Sequence, residues 1–216
     1  MSTIDITMDK YQETFNTWNS IAKDYEIKFM DLNLYDHTYD YICKTIAKTK
    51  AKILDVGCGP GNISKYLLSK RPDFDIFGID IAPNMVELAK KNNPLATFSV
   101  MDSRDITNFS ILFDGVISGF CIPYLSQKEC NAFISNTYNL LNSNGLIYLS
   151  FVEGEPNESN IKSSNAGRVY FYFHKLMDIK HQLKKARFSN IKTFRVEYKG
   201  SEIKSEPHTI LMARKL

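Results

Sequence analysis

Apolar side chains recur three and four apart through the first fifty residues. Phe15, Trp18, Ile21, Ala22, Tyr25 and Phe29 fall on one helical face, and Tyr35, Tyr39, Ile42, Cys43 and Ile46 on a second. Residues 11–50 are therefore read as helical, with a break at Asp31-Leu-Asn-Leu34. From Ala51 the period changes. Ala51-Lys-Ile-Leu-Asp-Val56 is short, apolar and runs into glycine, as a strand buried on both faces does. Further strands are predicted at Phe74–Asp80, Ala96–Met101, Phe113–Gly119 and Leu146–Phe151. Helices are predicted between them at Asn62–Lys70, Pro83–Asn92 and Gln127–Leu141. Arg71-Pro72 stops the first of these, and Asn142-Ser-Asn-Gly145 has the residue types of a turn.

Strand–helix alternation of this kind predicts an α/β fold, a mostly parallel sheet with helices on both faces. Right-handed crossovers then bring the loops that follow the strands to one edge, where ligands bind. Beyond the fifth strand the pattern loosens. Glu153–Gly167 is rich in Glu, Asn, Ser and Gly, has Ile161 as its aliphatic anchor, and reads as an excursion loop. Arg168-Val-Tyr-Phe-Tyr-Phe-His174 is dense in aromatics. Lys175–Ala186 reads as a helix. Ile191–Tyr198 and His208–Ala213 read as two last strands joined by a polar turn.

Composition narrows the class. The 216 residues are 44% hydrophobic and 24% charged, an ordinary globular balance that argues against disorder. The net charge of +3 falls short of a nucleic-acid footprint, and Lys180, Lys184, Lys185 and Arg187 read as a solvated helix face. The four cysteines, Cys43, Cys58, Cys121 and Cys130, form no C-x-x-C pair and no zinc spacing, which suits free thiols in a reducing compartment. Met1–Lys10 lacks the apolar core of a signal peptide, and no apolar run is long enough to span a bilayer. The expectation is a cytoplasmic protein with no membrane partner, no metal and no extensive nucleic-acid contact.

The densest chemistry lies in Ile53-Leu-Asp-Val-Gly-Cys-Gly-Pro-Gly61. Here a strand enters Gly57, Gly59 and Gly61, and a helix follows. Glycines at such a turn let a ligand approach the backbone. The spacing is G-x-G-x-G, whereas dinucleotide folds carry G-x-G-x-x-G. Asp55, two residues before the first glycine, would repel a pyrophosphate and suit a ligand with a cationic end. It could equally cap the following turn by accepting backbone N–H groups. Asp80 ends the second strand, placed to accept from ribose hydroxyls or to cap the helix near Pro83. Asp102, followed by Ser103, ends the third, placed to meet an adenine amino group.

Residues 53–64, with Asp80 and Asp102, resemble the class I S-adenosylmethionine-dependent methyltransferases, and the likeness extends over about residues 18–152. It implies a Rossmann-like seven-stranded sheet, mostly parallel, with helices on both faces, an antiparallel last strand and an N-terminal helical cover. Residues 1–50 would then be a helical cap, and 51–216 the methyltransferase domain with an excursion at about 153–174, all in one structural domain. The cofactor would be S-adenosylmethionine, leaving as S-adenosylhomocysteine. Asp55 and the loop Gly57, Cys58, Gly59 and Gly61 would hold its methionine part. Asp80, Ile81 and Met85 would hold the ribose and flank the adenine, and Asp102 and Ser103 would read the adenine edge. Gly119 and Phe120, in the loop Gly119-Phe-Cys-Ile-Pro-Tyr124, would lie beside the methyl group. Tyr25, in Trp18-Asn-Ser-Ile-Ala-Lys-Asp-Tyr25, matches the tyrosine of the covering helix in small-molecule members.

No Asp/Asn-Pro-Pro-aromatic segment follows the fourth strand, and no Pro-Cys. This argues against amino-directed DNA methylation and against covalent catalysis through Cys121. A base is needed only where the acceptor must shed a proton. The candidates are His174 and Tyr124, with His37 and Tyr172 behind them. If the segment after the excursion is extended, Arg168, Tyr170, Tyr172 and His174 share a face. That face either lines an acceptor pocket, with Tyr124 and with Arg168 reading an anion, or simply packs. The expected partner is a small-molecule acceptor, the chain being a monomer or homodimer. The alternatives are a nucleotide-dependent oxidoreductase, a non-catalytic S-adenosylmethionine-binding protein and an RNA methyltransferase.

Overall fold

The computed structural model describes residues 9–164, 167–199 and 205–216. The predicted readings of Met1–Met8 and of the polar turn at 200–204 lie outside the described residues.

Seven strands form one sheet in the order β3-β2-β1-β4-β5-β9-β8. In chain order they are β1 (Lys52–Val56), β2 (Asp75–Asp80), β3 (Thr97–Val100), β4 (Phe113–Gly119), β5 (Leu141–Val152), β8 (Phe188–Lys199) and β9 (Ser205–Lys215). The strands β3, β2, β1, β4 and β5 pair in parallel, and β9 runs antiparallel between β5 and β8. The predicted antiparallel last strand is therefore last in the chain and inside the sheet.

Alternation along the central strands divides the core. Ile53, Ile76, Ile117 and Tyr148 pack under α3 (Asp36–Thr45) and α4 (Asn62–Lys70). Leu54, Ile79, Val116 and Ile147 face α6 (Gln127–Leu140) and α7 (Leu176–Lys185). α5 (Pro83–Asn92) packs on β2 and β3 through Val86, Ala89 and Phe98. α6 starts in a capping box, with Ser126 and Glu129 each satisfying the other's backbone N–H. Strand order reverses around β1, so the loops after β1 and β4 diverge and leave a crevice at the strand ends.

The first of the two predicted N-terminal helical stretches proves to be two helices. α1 (Lys10–Ser20) and α2 (Ala22–Phe29) join at Ile21, and α3 follows the expected break. Two other expectations change. The turn at Asn142–Gly145 is absorbed into β5 as a bulge, since pairing jumps from Phe113↔Leu141 to Gly115↔Leu146. Asn144 takes φ 62°, and the Asn142 amide donates to Asp114. The excursion is not a loop: β6 (Asn160–Ser164) and β7 (Gly167–Phe171) make a two-stranded antiparallel sheet. Its composition is that of a loop because packing supplies little of its order. Instead Thr17 Oγ1 donates to the Arg168 carbonyl at 2.7 Å, and the Tyr170 N–H donates to Thr14 Oγ1 at 3.0 Å. Two α1 threonines thus satisfy the β7 edge. Ile161, the predicted anchor, is 42% exposed. Among the described residues no helix is long and apolar enough to cross a membrane.

Candidate functional site

The loop after β1 folds back on the end of β2. The Gly57 and Cys58 N–H groups donate to the Ile79 carbonyl, and the Gly59 N–H donates to Asp80 Oδ2 at 2.9 Å. The other Asp80 oxygen accepts the Ala82 N–H at 2.9 Å, fixing the turn into α5. Gly57 and Gly61 have φ of 68° and 83°. A Cβ at Gly57 would sit 2.9 Å from that of Cys121, and one at Gly61 2.3 Å from the Asn93 amide nitrogen. Glycine is required at both by conformation and by space. At Gly59 a Cβ would instead point at the Tyr25 ring, 3.7 Å away, so this residue faces the covering helix across a gap.

Asp55 lies beneath this loop and is 1% exposed. It accepts from the Ser64 hydroxyl at 2.7 Å and from the Ser64 backbone N–H in the first turn of α4, which keeps the capping reading at that turn, while Asp80 serves the loop N–H. Asp55 is absent from the cavity wall, and its Oδ1 is buried without a partner. Burial, opposed by the Ser64 hydrogen bond, pushes its carboxyl up to about 6. Burial also raises Asp80 above the usual carboxylate range.

A cavity of about 340 Å³ opens above the loop. The strand ends supply Gly57, Cys58, Gly59, Asp80, Ile81, Asp102, Ser103, Gly119 and Phe120 to its floor, with Met85 from α5. α1 and α2 cover it with Thr14, Phe15, Trp18, Tyr25 and Phe29, and Tyr124 closes one side against Trp18 and Phe171. Burial pushes Tyr25 up to about 12 and raises Tyr124 further, so both phenols stay protonated at neutral pH. Tyr124 is therefore a hydrogen-bond donor in this setting. The Cys121 thiol, also lining the cavity, is pushed up to about 12 by burial and stays unionised.

Four predicted acceptor residues lie elsewhere. Arg168 faces outward on the hairpin and forks onto Glu13 of α1. Tyr170 and Tyr172 lean on each other beside Lys10. His174 is fully buried, with Nε2 3.0 Å from the Ile122 carbonyl and Nδ1 unpartnered. It pins the chain after β7 to the turn Ile122–Tyr124. His37 packs on Phe194, also away from the cavity wall. The predicted face was inverted because α1 claims the Arg168 side of the hairpin. Phe171, from the opposite face, enters the cavity, and Lys162 of β6 stands 3.9 Å above its ring.

Sequence reasoning missed the far wall: Tyr35, Tyr198, Glu206 and His208. β9 runs antiparallel to β5, so its first residues arrive at the same edge as the parallel strand ends, with Val152↔His208 in register. Glu206-Pro-His208, polar residues ahead of an apolar strand, was the available signal. Arg104 was missed as well. It forks onto Asp102, pairs with Glu129, and lies 4.3 Å from the Tyr11 ring centroid.

Residues 53–145 match the family model described as a methyltransferase domain. The chain is 28% identical over 182 residues to a putative methyltransferase, 235L, of Invertebrate iridescent virus 6, covering 79% of this chain and 65% of that protein. It is 31% identical over 106 residues to carboxy-S-adenosyl-L-methionine synthase of Campylobacter hominis, covering 48% of this chain and 45% of the other. It therefore spans less than two thirds of the length of either. Magnesium protoporphyrin IX methyltransferase from Synechocystis PCC 6803, solved with bound S-adenosylmethionine, superposes with a TM-score of 0.71 at 20% identity, over 98% of this chain and all of that one. The fold is that of the class I S-adenosylmethionine-dependent methyltransferases. Within it, the match to the methyltransferase-domain model covers residues 53–145.

Proposed function

We propose that this chain binds S-adenosylmethionine in the cavity above Gly57–Gly61 and transfers its methyl group to a small-molecule acceptor. The observation that carries the reading is Asp80, a half-buried carboxylate on the cavity wall that also holds the Gly59 N–H. It is placed to accept from ribose hydroxyls with its remaining lone pairs, beside Ile81 and Met85 as adenine flanks. Asp102, held by Arg104, and Ser103 read the adenine edge. The glycine loop takes the methionine part, under Tyr25.

The residues present fit such a ligand. Asp55 keeps one oxygen unpartnered beneath the loop, and the Trp18 indole N–H is likewise buried and unpartnered at the cavity. Acidic groups at three strand ends favour a ligand with cationic ammonium and sulfonium centres over a pyrophosphate. This argues against the oxidoreductase alternative. The cofactor supplies an activated methyl group when bound. The chain's own residues orient the acceptor and exclude water, beside Gly119 and Phe120. The methyltransferase and carboxy-S-adenosylmethionine synthase names of its relatives agree with this reading.

A small acceptor suits a cavity roofed by α1 and walled by Phe15, Trp18, Tyr124 and Phe171. Calorimetric titration with S-adenosylmethionine and S-adenosylhomocysteine tests the cofactor, with NADH as the control. Micromolar binding of the first two, lost in Asp80→Ala, supports the proposal. Binding of NADH alone would return the oxidoreductase reading.

A further inference from the structure

Tyr35, His208 and Glu206 form a hydrogen-bonded chain that leads from the cavity towards solvent. The Tyr35 hydroxyl and His208 Nδ1 are 2.6 Å apart, and His208 Nε2 lies 3.3 Å from Glu206 Oε2. His208 is 7% exposed, whereas the Glu206 side chain is 47% exposed. The Tyr35 ring lies end-on to the imidazole and nearly parallel to it, with centroids 6.1 Å apart, Tyr198 stacks on the imidazole at 5.0 Å, and Phe120 meets it edge-on at 4.6 Å. The carboxylate fixes the tautomer: Nε2–H donates to Glu206, which leaves the Nδ1 lone pair for the Tyr35 O–H. None of these three residues has a part in holding the cofactor as assigned above, yet all three line the same cavity.

We propose that Tyr35, His208 and Glu206 are a proton relay for the acceptor, and that the acceptor is a small planar phenol. This deepens the methyltransferase reading and rests on it. The acceptor hydroxyl hydrogen-bonds to the Tyr35 oxygen. As the acceptor oxygen forms its bond to the methyl carbon, the carbon–sulfur bond breaks and its electron pair stays on sulfur. The acceptor proton passes to the Tyr35 oxygen while the Tyr35 proton passes to His208 Nδ1. Glu206 balances the imidazolium and takes its Nε2 proton on to water, and the ring returns to the Nε2–H form by exchange with water before the next turnover. Tyr35 is thus the residue that touches substrate, and His208 and Glu206 act through it.

A relay serves only an acceptor that must lose a proton, and edge-presenting aromatic walls suit a flat ring. Lys162, above Phe171 at the rim, favours the phenolate. The groups that face His208 are Tyr35, Tyr198 and Glu206, with Glu197 and Lys162 acting at longer range. Burial lowers its protonation against the pull of Glu206 and Glu197, so the ring stands neutral and able to accept at pH 7.

The test uses 4-nitrophenol, whose phenolate is coloured, with the full chain saturated by S-adenosylhomocysteine. Bound 4-nitrophenol is expected to ionise about one pH unit below its free value, a typical effect of a positioned proton acceptor. His208→Gln and the packing-neutral Tyr35→Phe should abolish that shift and keep S-adenosylhomocysteine affinity. Glu206→Gln should reduce it. No binding of 4-nitrophenol to the loaded protein, or an unchanged shift in Tyr35→Phe, would overturn the relay while the cofactor reading stands. Failure of S-adenosylhomocysteine itself to bind in calorimetry would remove the cofactor reading, and the relay with it.

Discussion

The Asp80 carboxylate and the Gly59 N–H, 2.9 Å apart, tie the glycine loop to the end of the neighbouring strand. One side chain therefore shapes the loop and lines the cavity that the loop serves. Asp80→Ala removes two hydrogen bonds to a half-buried charged group, those from Gly59 and Ala82. Such bonds contribute about 1.5–3 kcal/mol each. S-adenosylhomocysteine affinity should fall at least about tenfold in calorimetry. Asp80→Asn should fall less, since one oxygen still accepts.

Asp55 makes the opposite trade. Its folded carboxyl titrates at about 6, against roughly 4 in an unfolded chain. Between those values the folded protein binds more protons than the unfolded one, so stability falls as pH rises. The penalty is complete above pH 6, and two units correspond to about 3 kcal/mol. Asp55→Asn keeps an acceptor for Ser64 and removes the charge. The ligand-free variant should be more stable than the parent in urea at pH 8, by up to about 3 kcal/mol, with the gap shrinking by pH 5. S-adenosylmethionine should bind it more weakly, because the cationic ligand loses its buried counter-charge. A variant equal to the parent in both respects would remove Asp55 from the site.

The first five strands and their helices were legible because parallel strands buried on both faces read as continuous apolar runs ending in punctuation. Asp80 and the three glycines were legible for the same reason, since their place follows from the strand–turn–helix pattern. Tyr35, His208, Lys162 and Arg104 were not. Pairings distant in sequence bring them to the cavity, such as Val152↔His208 in the sheet or Arg104 with Glu129. The alternation of Arg168–His174 holds as a strand only as far as Phe171, and His174, grouped with Arg168 on one face, is fully buried; which face of the strand turns inward is decided by α1. Thr14 and Thr17 bond the hairpin backbone, and Glu13 takes Arg168. Nothing local in the hairpin records that.

His174 now predicts a structural phenotype. Its ring is fully buried, and burial lowers its protonation below that of a free histidine. A neutral buried base binds fewer protons folded than unfolded, so stability is lost as pH falls below about 6.5. His174→Gln should lower stability by about 1–3 kcal/mol, because the hydrogen bond to Ile122 is strained or lost, and should flatten that acid limb, because glutamine does not titrate. S-adenosylhomocysteine binding by folded protein should stay within about twofold. A large loss of affinity without loss of stability would restore His174 to the site.

The roof over the cavity has its own fastening. The Tyr11 hydroxyl of α1 donates to Glu129 on α6, and the Tyr11 ring lies over the Arg104 guanidinium, which also pairs with Glu129. Burial alone would raise Glu129, but hydrogen bonds from Ser126, Tyr11 and Arg104 bring it down to about 2, so the acceptor is a carboxylate at any physiological pH. Hydrogen bonds to such a group exceed neutral ones. Tyr11→Phe deletes the donor and keeps the ring over Arg104. The closed roof should lose about 1–3 kcal/mol. Amides of α1 should exchange hydrogen faster while those of β1 and β4 do not change. S-adenosylhomocysteine should dissociate roughly ten times faster with little change in association, because a ligand under a roof leaves only when the roof opens. Equal exchange in α1 would mean that Arg168–Glu13 and the two threonines hold the helix without help from Tyr11.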